Sequence, residues 1–76
     1  MTKKQIIKVV SSHLSCFQHW EITSDVNEVC ISLADGRLFW TQPFLEHVVD
    51  ICRGCQLSFY IDQMTIHIYA NSYSAL

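Results

Sequence analysis

The sequence predicts a two-layer α+β fold: a mostly antiparallel sheet with two helices packed on one face. Three observations lead there. Apolar residues recur at helical spacing in two stretches, near residues 6–17 and 43–52. An Asp35-Gly36 pair sits between alternating apolar runs, the strongest short-range signal for a tight hairpin. A second pair of alternating runs closes the chain at residues 57–69. The expected element order is α-β-β-β-α-β-β, and elements with one apolar face or stripe must bury it against another layer.

The first helix opens with Thr2-Lys3-Lys4-Gln5, a capping-box pattern in which Thr2 caps the helix and Gln5 reaches back. Ile6, Val10, Leu14 and Phe17 form its stripe, and Gln18 and His19 are expected to end it. Three strands should follow as a meander. Trp20 and Ile22 alternate with Glu21 and Thr23, and Val29, Ile31 and Leu33 alternate with Cys30 and Ser32. A four-residue loop at 24–27 would set Ile22 opposite Val29 and Trp20 opposite Ile31. A two-residue Asp35-Gly36 loop would set Leu33 opposite Leu38 and Ile31 opposite Trp40. Both registers put the large apolar residues on one face.

Pro43 suits the first turn of the second helix, Leu45, Val48, Val49 and Cys52 form its stripe, and Gly54 is expected to close it. In the last hairpin Leu57, Phe59 and Ile61 face Met64, Ile66 and Ile68 across an Asp62-Gln63 loop. Residues 1–70 are thus expected to form one domain, with 71–76 as a frayed tail.

If both helices cover the apolar face, the other face is bare. By parity it carries Glu21, Thr23, Cys30, Ser32, Phe39, Tyr60, Thr65, His67 and Tyr69. Phe39, Tyr60 and Tyr69 are more aromatic surface than a solvated face requires, and aromatics are enriched where proteins dock. Phe39, Tyr60, His67 and Tyr69 are therefore the expected partner-binding residues. Ordinary strand propensity competes with that reading, because Tyr and Thr simply suit strands.

Composition narrows the function classes. Seventy-six residues, half of them apolar, suit a single small globule. Such a chain buries only roughly 60–65% of its unfolded surface, so pairing with a second copy is a natural source of added stability. Five basic residues stand against seven acidic ones, and three of the basic ones are Lys3, Lys4 and Lys8. That is a poor footprint for phosphate neutralisation, and nucleic acid is not an expected partner. No apolar run is long enough to span a membrane and none reads as a secretory leader, so a cytoplasmic location is expected, with free thiols at Cys16, Cys30, Cys52 and Cys55.

The Cys52-Arg53-Gly54-Cys55 pattern matches C-x-x-C. Redox proteins place such a pair at a helix N-terminus, where the dipole favours the thiolate. Here it falls at a C-terminus, where the dipole disfavours it. His13-x-x-Cys16 and Cys52-x-x-Cys55 could together supply four zinc ligands, although they are far apart in sequence. No nucleophile sits in an elbow motif. The expectation is a non-enzymatic protein–protein interaction module, such as a small regulator or inhibitor of a larger protein, with a homodimer as one form. No catalytic residue, metal ligand or cofactor is assigned. A zinc-binding or thiol-redox domain using Cys52 and Cys55 is the alternative.

Overall fold

A computed structural model describes residues 1–70. The expected tail at 71–76 lies outside the described residues. The observed order is α-β-β-α-β-β: α1 (Lys3–His13), β1 (Trp20–Ser24), β2 (Val29–Leu33), α2 (Gln42–Cys55), β3 (Leu57–Asp62) and β4 (Thr65–Ala70). The four strands form one antiparallel sheet in the order β1-β2-β4-β3. Both helices lie on one face, and one apolar core fills the space between the layers. Helix residues Ile6, Val10, Phe44, Val48, Ile51 and Cys52 meet strand residues Val29, Ile31, Leu57, Ile66 and Ile68 there, with Leu14 beside them just past the end of α1. No described helix is long and apolar enough to cross a membrane.

The capping box forms as read. Thr2 Oγ1 accepts the Gln5 amide at 3.2 Å, and Gln5 Oε1 accepts the Thr2 amide at 2.8 Å. The helix stops sooner than its apolar spacing suggests, at His13. The Ser15 hydroxyl donates to the Ser12 carbonyl at 2.9 Å, one of the local side-chain bonds that compete with helix continuation. Leu14 and Phe17 still pack on the core from the turn that follows.

The third strand of the meander does not form. Its turn does: Asp35 and Gly36 both adopt left-handed backbone (φ 56° and 73°), and the Arg37 amide donates to the Ala34 carbonyl at 3.2 Å. The chain then leaves the sheet, because both edges of β2 are occupied. β1 pairs along one edge, from Trp20↔Leu33 to Ser24↔Val29, and β4 takes the other, from Val29↔Ile68 to Ile31↔Ile66. β4 brings two fully buried isoleucines to that position. Trp40, expected on the sheet, instead stacks on Phe44 of α2 at 4.8 Å and donates its indole N–H to the Met64 carbonyl at 3.0 Å. Leu38 and Phe39 are left in the loop, 63% and 82% exposed.

Both hairpin registers differ from expectation by two residues, with a common cause. The first loop occupies 25–28 in place of 24–27, closed by the Asp25 amide on the Glu28 carbonyl at 2.8 Å. The second loop is Gln63-Met64 in place of Asp62-Gln63, with φ of 50° and 68°. Moving a loop one residue along the chain changes cross-strand partners by two and leaves every side chain on its original face. The apolar set therefore stays together, except that Met64 leaves the ladder for the turn.

Helix α2 starts with Pro43 in its first turn and runs through Gly54 to Cys55. Its core stripe is Phe44, Val48, Ile51 and Cys52, with Leu45 and Val49 half-buried at its margin. Gln56, not Gly54, takes the left-handed capping conformation, at φ 56°.

The two glycines therefore respond in opposite directions. An added Cβ meets nothing within 4 Å at either position. Gly54→Ala removes backbone freedom from the last turn of α2 and should stabilise the chain by up to about 0.5–1 kcal/mol. Gly36→Val forces a β-branched residue to positive φ and should cost about 1–3 kcal/mol. Thermal melting of the two variants checks both signs.

Candidate functional site

The bare face of the sheet is assembled by register. On the two central strands Cys30 lies opposite His67, and His67 lies opposite Tyr60 on edge strand β3. The row Cys30-His67-Tyr60 thus crosses three strands on the face turned away from the helices. Tyr69 lies two residues along β4, and its ring centroid is 6.1 Å from that of Tyr60. Tyr60 and His67 stack nearly parallel, with centroids 4.5 Å apart and an interplanar angle of 6°.

Glu28, the last residue of the β1–β2 loop, leans over this row and organises it. The Tyr60 hydroxyl donates to Glu28 Oε2 at 2.8 Å. The other carboxylate oxygen, Oε1, is 3.1 Å from His67 Nδ1. His67 therefore has a carboxylate partner, both side chains being mostly shielded at 18% and 25% exposure. Cys30 Sγ approaches the same ring nitrogen at 3.5 Å. No buried polar side-chain atom among the described residues lacks a hydrogen-bond partner. A groove of about 880 Å³ opens beside the cluster, lined by Lys3, Val26, Glu28, Tyr60 and Tyr69 among others.

The electrostatics follow from these contacts. The hydrogen bond to Glu28 holds the Tyr60 proton, and together with desolvation and the neighbouring carboxylates it pushes the phenol up to about 12. Desolvation raises the Cys30 thiol, and the charges of Glu28 and Asp25 add to the effect. A Cys, His and Glu in contact could suggest a nucleophilic triad, but the geometry is wrong for one. In such a triad the nucleophile and the carboxylate engage opposite nitrogens of the imidazole, so a proton passes across the ring. Here both meet Nδ1, and the thiol is driven away from its reactive form.

Of the expected partner-binding residues, Tyr60, His67 and Tyr69 come together. Phe39 does not join them. Without a third strand it belongs to the 34–41 loop, where it lines a small cleft of about 150 Å³ with Phe17, Trp40 and Phe44. Sequence reasoning passed over Glu28, which lies in a turn and carries no periodic signal, and it left Cys30 as one residue among many on the open face. The missing information was strand order: only β2–β4 adjacency puts Cys30 against His67.

The four cysteines are free. Cys52 is buried in the core, and its thiol is pushed up to about 11, first by desolvation and then by Cys55. Among the described residues neither Cys52 nor Cys55 belongs to a group of three potential metal donors, whereas Glu28, Cys30 and His67 form one, with donor atoms all within 4.8 Å of one another. Comparison with known protein families, with curated proteins and with solved structures finds no match to this chain.

Two measurements check this arrangement. Alkylation at neutral pH should modify exposed Cys16 fastest, half-buried Cys55 next, and Cys30 and Cys52 last, since only thiolates react. Ultraviolet titration should show Tyr60 ionising near 12, and Glu28→Ala should bring it back toward an ordinary tyrosine, near 10. The folded value is raised, so its contribution to stability is intact below the unfolded value near 10. It is lost as pH climbs through about 12. Glu28→Ala should remove that alkaline segment of the stability curve.

Proposed function

We propose that the chain is a non-enzymatic interaction module that docks another protein on the open face of the sheet, around Tyr60, His67 and Tyr69. The observation that carries this reading is the Tyr60–His67 stack, held by Glu28 on a face that neither helix covers. Anchors already fixed in one conformation lose less entropy on binding than mobile ones. Tyr60 is 43% exposed despite its fixed geometry, so it offers contact area that a partner can cover. The adjoining groove extends the surface toward Lys3 at the start of α1.

The shared use of His67 Nδ1 and the raised Cys30 thiol weigh against catalysis at this face. Thiol-redox chemistry at Cys52 and Cys55 is disfavoured on similar grounds. Cys52 is buried, its thiol lies near 11, and the pair sits at the end of α2 where the dipole opposes a thiolate. Four free thiols suit a reducing compartment such as the cytoplasm. A module of this size fits a small regulator or inhibitor of a larger protein, and a second copy of the chain is the other occupant of the same face.

Affinity capture from the native host, with wild type and with a Tyr60→Ser, Tyr69→Ser double variant that retains its circular dichroism spectrum, tests the reading. The captured partner should bind the variant at least about tenfold more weakly, as loss of central aromatic anchors implies. Sedimentation at tens of micromolar separates the two occupants: a wild-type dimer that the double variant dissociates makes the partner a second copy. Capture and association both indifferent to the two substitutions would remove the open face from the function.

A further inference from the structure

We propose that Glu28, Cys30 and His67 hold a divalent metal ion of the zinc type on the open face of the sheet. The three donors are a carboxylate, a thiol and an imidazole, the ligand types that zinc takes. They come from the β1–β2 loop, β2 and β4, and their donor atoms lie within 4.8 Å of one another. With zinc–sulfur bonds of about 2.3 Å and zinc–nitrogen bonds of about 2.0–2.1 Å, neighbouring ligand atoms in a tetrahedral shell stand roughly 3.3–3.6 Å apart. Cys30 Sγ is 3.5 Å from His67 Nδ1, and Glu28 Oε1 is 3.1 Å from it. Two of the three donor–donor spacings thus lie close to the edges of such a shell, and the third, between Cys30 and Glu28, is within 4.8 Å and closes by side-chain rotation.

Hydrogen bonding alone accounts for less of this geometry. An imidazole nitrogen carries one proton or one lone pair, never both. Nδ1 can therefore serve Glu28 or Cys30 fully, but a single proton cannot bond well to both. Convergence of two potential ligands on one ring nitrogen is redundant in a hydrogen-bonded pair and is required around a shared cation.

The surroundings supply the supporting contacts that metal ligands usually have. The Tyr60 hydroxyl holds Glu28 Oε2, which leaves Oε1 directed at His67. The Tyr60 ring lies flat on the imidazole and fixes its plane. On coordination the Cys30 thiol releases its proton to solvent and binds as thiolate, and His67 binds through Nδ1 with its remaining proton on Nε2. Water takes the fourth position from the uncovered face.

This inference stands apart from the docking proposal and can fail without it. Cobalt(II) is the probe, because thiolate ligation gives it a charge-transfer band in the near ultraviolet. One equivalent should produce the band in the wild-type protein, and Cys30→Ser or His67→Gln, each checked for folding by circular dichroism, should abolish it. On the wild-type chain one equivalent of zinc should slow alkylation of Cys30 by about tenfold or more, because a metal-bound thiolate is withheld from the reagent, and leave Cys16 and Cys55 unchanged. No band, a band that persists in either folded variant, or zinc protection of Cys52 and Cys55 in place of Cys30 overturns the proposal.

Discussion

The fold and its candidate site both depend on one pairing, β2 against β4. Each strand also belongs to a local hairpin, β1–β2 or β3–β4, that closes over a four- or two-residue loop. Val29↔Ile68 and Ile31↔Ile66 join the hairpins into one sheet, and all four side chains are fully buried. Burial of such side chains is worth roughly 1.5–3 kcal/mol each. The return arm after Gly36 offers no comparable gain at that edge, since Trp40 finds a better site against Phe44. A strong local turn signal was therefore obeyed at the turn and overruled one residue later.

The same pairing explains why the opposite face has chemistry at all. Side chains alternate, so joining the core isoleucines on one side brings Cys30 and His67 together on the other. Edge strand β3 then adds Tyr60 to the row, and the β1–β2 loop lowers Glu28 onto it. The core face is held by apolar burial, and the open face by a short network centred on one carboxylate. Tyr60 and His67 both answer to Glu28, so neither ring is placed by strand geometry alone.

Much of this was legible in the sequence, and the gaps have physical causes. Periodicity located both helices and four of the five expected strands, and face assignments survived two register errors because a one-residue loop displacement preserves parity. Capping chemistry read correctly at Thr2 and Gln5, where the partners are three residues apart. It misread the end of α2, where Gln56 takes the left-handed position expected of Gly54. Phe39 was misplaced because its strand existed only as a local preference. Tyr60, His67 and Tyr69 were placed together correctly, since they needed only parity and one hairpin. Glu28 and the Cys30–His67 contact needed strand order, a non-local fact that periodic patterns do not encode.

The distance along the chain between Cys30 and His67, 37 residues, has a kinetic consequence. Each hairpin can close quickly over its own short loop, on a scale of about 1–10 μs. Joining β2 to β4 must bring together segments separated by all of α2, at a loop-closure cost of about 3 kcal/mol. The face that carries Glu28, Cys30, Tyr60 and His67 is thus complete only once the two hairpins have joined. Its contacts report a completed sheet, and a chain caught with two formed hairpins has secondary structure but not this face.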